Sequence, residues 1–226
     1  MPIISSDTLW KTGEVHDLAD SPIQIAHGAT LTIEGGVEVK NGDLEVFGKL
    51  VVAGGSEKKV NFFDVSILNE GIYQKEATIS ISHADMAQSY VGGYGYGDLS
   101  ITDSLIRDGR GVYIPGGVID SFIERNIFLS SVGIDSALKF GATTYVRDNV
   151  FFDQQSTYGQ NYAIKADSGE TFVEGNTFLS TDRVALFVDK NGILSASDNN
   201  FSTTDSDVIA SMILDSLFRP FKFILA

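Results

Sequence analysis

Glu124, Arg147 and Glu174 stand at one place of a recurring phrase, and Asp103, Arg125 and Asp148 stand at the next, so carboxylates and guanidinium groups alternate along the chain. A carboxylate beside an arginine is the minimum needed to grip an acidic sugar and move a proton on it. In that reading Asp148 or Glu124 is the acid or base, and Arg125 or Arg147 is the partner of the sugar's carboxylate. The same residues also read as opposite charges facing each other across neighbouring strands, which keeps like charges apart. Alternation of sign neutralises each column, and that favours pairing over catalysis. Histidine chemistry has little to draw on, because the chain holds only His16, His27 and His83. It has no Cys, so thiolate nucleophiles, thiolate metal sites and disulfides are all excluded.

A second set is aromatic. The segment SYVGGYGYGD carries Tyr90, Tyr94 and Tyr96, and Tyr113 points outward from a nearby strand. Tyrosine rings beside acidic groups are surfaces on which sugar rings stack, although a Gly/Tyr loop that simply covers the side of the fold has the same composition. Lys139 and Lys165 are expected in one outward column with Tyr113 and Phe187, placed to contact an anionic glycan or to lie solvated on a strand face. GGYGYGDLSI invites comparison with the calcium-binding nonapeptide repeat, in which Asp follows the glycines at a fixed step. Here Gly97 takes the Asp position and Asp98 comes one residue late, in a single copy. Asp98 is thus the candidate metal ligand, Ca²⁺ the candidate ion, and no other cofactor is expected. No Lys-Ser or Lys-Thr follows the glycines and no helix pattern opens there, which argues against a phosphate loop.

These residues are carried by a repeat. SFIERNIFLS, TYVRDNVFFD, TFVEGNTFLS and LSASDNNFST each place Asn two residues before Phe, at Asn126, Asn149, Asn176 and Asn199, with spacings of 23, 27 and 23. Weaker copies put Ser104 and Ala84 in the same place. Three residues before the anchor stand Ile81, Ile101, Ile123, Val146, Val173 and Ala196. Two residues after it stand Met86, Ile106, Phe128, Phe151, Phe178 and Phe201. A further apolar segment between anchors aligns Val112, Leu138, Ile164 and Leu186. Period-two alternation in short runs bounded by Gly, Asp, Asn and Ser is strand patterning, and coils of 20 to 27 residues make a solenoid.

The expected fold is therefore all-β: a right-handed parallel β-helix solenoid, a single domain with short terminal caps. Residues 1–20 are expected as an N-terminal cap with Trp10 across the end, 21–205 as coils, and 206–226 as a C-terminal capping tail containing a short helix. The Asn column is expected to form a ladder about one strand spacing apart, with Asn at a bend in left-handed geometry.

At 226 residues and 43% hydrophobic content the chain can bury a core, and its net charge of −14 repels nucleic-acid phosphates and anionic membrane surfaces. No window approaches the roughly eighteen consecutive apolar residues of a membrane span. The opening MPIISSDTLWKTGE has no basic segment, apolar stretch and cleavage site in series, so no classical signal peptide is read in it. No nucleic-acid partner and no membrane insertion are expected.

GATLTIEGGVEV, then LEVFGKLVVAGG and KKVNF, resemble the opening coils of right-handed β-helix proteins of the pectin-lyase-like superfamily, with Gly35 where that pattern usually has Pro. DVIASMILDS with RPFKFILA is similar to the closing coil of β-helix domains in large secreted or surface bacterial proteins. The resemblance implies an extracellular or cell-surface location, a lateral groove and polysaccharide or cell-surface glycan as partner. It does not carry over a catalytic set: neither the clustered aspartates of pectate lyases and polygalacturonases nor an Asp-Pro-His motif can be matched residue by residue. The expected function is a noncatalytic structural or glycan-binding module. The alternatives are a polysaccharide lyase, epimerase or hydrolase acting on acidic polysaccharide, and an assembly module that uses the apolar tail after Met212.

Overall fold

The computed structural model describes residues 1–72, 75–114, 117–137, 143–153, 162–180 and 184–215. Strand makes up 64% of the chain and helix 3%, and the named strands pair in parallel as a β-solenoid of about eight turns. Parallel neighbours need a long crossover between them, and here each crossover is the remainder of a coil. Every coil offers three strand positions. Ala77–Ser82, Tyr96–Thr102, Gly117–Glu124 and Thr143–Arg147 stack in one of them. Ala84–Ala87, Leu105–Arg107, Ile127–Leu129 and Val150–Phe152 stack in the next. Tyr90–Gly93, Gly111–Ile114, Ile134–Ala137 and the first part of Tyr162–Glu174 stack in the third.

Both apolar columns face inward as far as Val173 and Phe178, while on the last coil Ala196 is exposed and Phe201 half-buried. Ile81, Ile101, Ile123, Val146 and Val173 are register partners and fully buried, as are Met86, Ile106, Phe128, Phe151 and Phe178. The phenylalanines stack ring on ring up the axis, with centroids 4.8 Å, 5.2 Å and 5.3 Å apart from Phe128 through Phe151 and Phe178 to Phe201. That separation is close to the strand spacing, so one ring per coil stacks directly on the next along this part of the core.

The Asn ladder is present. Asn149 Oδ1 accepts from the Asn126 N–H at 2.8 Å, and Asn176 Oδ1 does the same for Asn149 at 2.9 Å. Asn126 in turn accepts from Ser104, and the Ser104 hydroxyl accepts from Ala84 N–H. The left-handed residue is not the Asn but the one before it: φ is +52° at His83, +53° at Asp103, +56° at Arg125, +54° at Asp148, +67° at Gly175 and +55° at Asp198. The preceding residue makes the bend, which turns the Asn side chain inward against the next coil. Gly175 belongs to this column by its positive φ, and a Cβ there would also crowd Asp148 Oδ1. Gly97 is constrained differently: at φ +134° its Cα lies against the Ala77 carbonyl, where a Cβ has no room.

The ends of the solenoid are built as follows from the described residues. Residues 1–20 form a coil of their own, since Ile3–Ile4, Thr8–Trp10 and Val15–Asp17 pair with the strands above them. Trp10 is buried in that coil as part of the core, stacked on His16 at 3.7 Å between ring centroids. At the other end a helix spans Ser206–Ser211, with the Asp205 carboxylate accepting from the Asp207 and Val208 N–H groups. Ile213–Asp215 then rejoins the solenoid on Val184–Ser197, burying Met212 and Ile213. The rest of the expected tail, 216–226, lies outside the described residues.

One register also differs. Val112 pairs with Ile134, not Leu138, and Ile134 pairs with Ile164. SVGIDSALKF contains two apolar segments that alternate equally well, and the strand uses the first. The partner of Tyr113 is consequently Asp135, and Lys139 lies outside the described residues.

Candidate functional site

The alternating charges pair with one another along the exposed corner that precedes the Asn turn. Arg125 donates from Nε and Nη2 to the two Asp103 oxygens at 2.8 Å and 2.9 Å, and from Nη1 to Glu124 at 3.3 Å. Arg147 lies 3.7 Å from Glu124, donates to Glu174 at 2.9 Å, and rests 4.5 Å over the Tyr145 ring. The Arg125 hydrogen bond holds the Asp103 carboxyl below the usual aspartate range, and the same contact raises Arg125. Asp148 is exposed at its left-handed turn position. None of Glu124, Arg125, Arg147 and Asp148 lines the cleft described next.

A cleft of about 340 Å³ opens over the third strand position, formed by residues of three successive coils. Its walls are Tyr90, Tyr94, Arg110, Tyr113 and Asp135, and Val112, Val132 and Gly133 supply its apolar lining. Tyr94 is 85% exposed and stands edge-on to Tyr113, with ring centroids 6.4 Å apart. The Tyr90 ring lies across Gly92, where any Cβ would meet it, and the Arg110 guanidinium sits 5.1 Å from its centroid. Burial pushes the Tyr90 phenol up to about 12, so it stays protonated and able to donate.

Asp135 joins the cleft to a second cluster. The Tyr162 hydroxyl donates to Asp135 Oδ2 at 3.1 Å. Lys165 Nζ lies 3.8 Å from that oxygen, 3.3 Å from Asp167 and 3.9 Å from Asp189. Asp135 Oδ1 is buried and has no hydrogen-bond donor among the described residues. Burial raises the Asp135 carboxyl above its ordinary value, and Lys165 offsets this only in part. The Tyr162 phenol is raised by burial and then by Asp135. The sequence places Lys165 in an outward column, to contact an anionic glycan or to lie solvated on a strand face. Its side chain is instead 15% exposed and surrounded by three carboxylates.

The structure thus brings Tyr90, Tyr94 and Tyr113 together and sets Lys165 behind Asp135. Tyr96 is not among the cleft residues; it lies on Tyr96–Thr102, with its ring against Gly117. Asp98 is exposed on the same strand, its carboxyl raised by partial burial and by Asp120 and Glu76. Among the described residues, no group of three or more His, Asp or Glu side chains is placed to hold a metal ion. Of the glycines of GGYGYGD, Gly93, Gly95 and Gly97 lie close against the preceding coil, and Gly92 makes room for the Tyr90 ring. Sequence reasoning missed Arg110, Asp135 and Tyr162. A constant step of 22 residues from Tyr113 lands on Asp135, and that step was the available signal. No protein-family model matches the chain, and no curated protein or solved structure matches it either.

Proposed function

We propose that the protein is a noncatalytic glycan-binding β-solenoid module of the pectin-lyase-like kind, belonging to a secreted or surface-attached bacterial protein. The observation that carries this is the cleft, in which three tyrosines from neighbouring coils surround an apolar floor beside hydrogen-bonding groups. Such a mixture of ring surface and a few polar groups suits a sugar, whose faces are apolar and whose edges are hydroxyls. The noncatalytic part is supported by Glu124, Arg125 and Arg147, which are engaged with each other and with Asp103 and Glu174 instead of facing a cleft. The location outside the cell is supported by the sequence resemblance.

The test is a glycan array of plant, algal and bacterial polysaccharides, run with and without Ca²⁺, followed by an absorbance assay for unsaturated uronate on every binder. Binding without product is expected. Tyr94→Ala and Tyr113→Ala should each weaken it by about tenfold, the effect of losing one buried aromatic contact. Product formation, lost in Arg125→Ala or Arg147→Ala, would instead establish lyase chemistry.

A further inference from the structure

We infer that the first coil of the solenoid is a self-association surface, on which two copies of the chain meet head to head about a twofold axis. This stands apart from the glycan-binding reading. Ile3–Ile4, Thr8–Trp10 and Val15–Asp17 each pair with the coil above, and nothing among the described residues pairs with their other side. An unpaired strand edge is a template for a further strand. Each edge is only two or three residues long, but all three lie around one coil, so a partner that engages them together gains what none offers alone.

The outward side chains of this coil are apolar on every face. Ile3, Leu9 and Val15 are exposed, whereas their register partners one coil up are Gln24, Thr32 and Glu38. Turning a second copy by half a turn about an axis through the middle of Thr8–Trp10 sets that strand antiparallel to itself and brings Ile3–Ile4 beside Val15–Asp17 of the copy. Leu9 then meets Leu9, and Ile3 approaches Val15. Asp7 and Lys11 stand two residues to either side of Leu9, so each Asp7 comes opposite Lys11 of the other copy. The remaining carboxylates do not oppose one another. Glu14 is engaged by the Lys11 N–H and His16, and Asp17 by Asn41 and the Ala19 N–H, and both come opposite the uncharged side chains of residues 1–5. Asp20 stands on the turn that rises to Ile23–Ile25.

Sedimentation equilibrium over a concentration series up to about 0.1 mM should give a closed dimer and no larger species, because a twofold contact uses each first coil once. Asp7→Lys and Lys11→Asp should each weaken it by about tenfold or more, since either change sets like charges together twice. Mixing the two variants should restore association as a heterodimer, in which both pairs are again opposite. The chain has no Cys, so Leu9→Cys places a single thiol on the axis, and air oxidation should link it across the dimer. Ile193→Cys, comparably exposed several coils away, should stay unlinked. Circular dichroism would verify each fold. Lys11→Asp and Leu9→Cys leave the Asp7 bond to the Thr30 N–H in place, so they decide the matter even if Asp7→Lys misfolds. A monomer throughout the series overturns the inference. So does a dimer that ignores Lys11→Asp and leaves Leu9→Cys unlinked, or an open-ended filament, which needs one end of the solenoid to meet the other.

Discussion

Asn149 engages four hydrogen bonds through its side chain: Oδ1 accepts from the backbone and side-chain nitrogens of Asn126, and Nδ2 donates to the Ile123 carbonyl and to Asn176 Oδ1. Both backbone partners are buried in the turn, so Asn149→Ala leaves a donor and an acceptor without water. The expected loss is about 1–3 kcal/mol in urea unfolding. Asn199 makes similar contacts at the last coil but is half-buried, so Asn199→Ala should cost less, since solvent can replace what is removed. Equal losses at the two sites would show that the ladder is not what holds the turn. Arg125 is bidentate on Asp103 yet half exposed, so Arg125→Ala should change stability by about 1 kcal/mol or less.

At the scale of strands, two aromatic stacks run along the solenoid with different consequences. Phe128, Phe151 and Phe178 are buried, and Phe151→Ala opens a cavity between two rings, with an expected cost of about 3–5 kcal/mol by thermal or urea denaturation. Phe122, Tyr145 and Phe172 stack on the outer face at 5.2 Å and 5.5 Å, and Tyr145→Ala should cost about 1 kcal/mol, because its edge already meets water. Those outer rings cover each other's faces, which leaves only edges for a ligand and separates them from the open tyrosines of the cleft. The inner columns were legible in the sequence because each coil repeats the same apolar-to-Asn-to-Phe interval. The cleft was not, because it depends on which residues of different coils come into register. Coil length varies, Asn149 to Asn176 being 27 residues against 23 on either side, so the 22-residue step that reaches Asp135 from Tyr113 does not carry on to Tyr162 and Lys165. In SVGIDSALKF the alternation fits two registers, and only hydrogen bonding of the strand chooses the one that puts Asp135 beside Tyr113.

For the molecule as a whole, carboxylates of opposite behaviour should shape stability against pH. Asp103 is lowered chiefly by its Arg125 hydrogen bond, so the folded state favours its ionised form, and that contribution disappears as pH falls through the lowered value. Asp135 behaves in the reverse sense, since burial raises its folded value above that of the unfolded chain. Between the ordinary aspartate value of about 3.9 and the raised one, the folded protein keeps a proton that the unfolded chain has released, so stability falls as pH rises across that interval. Above the raised value the loss is complete and constant. Asn cannot ionise, so Asp135→Asn should gain stability relative to wild type as pH rises through this window and hold that gain at neutral pH. Lys165 keeps Asp167 and Asp189 as partners in the variant, so its own charge is not stranded. Urea midpoints of the two proteins, measured at steps from pH 3 to 8 or so, would show the difference growing from the acid side. A difference that stays flat over the whole range would mean that Asp135 titrates alike in folded and unfolded chains, and that burial at the base of the cleft exerts no hold on its charge.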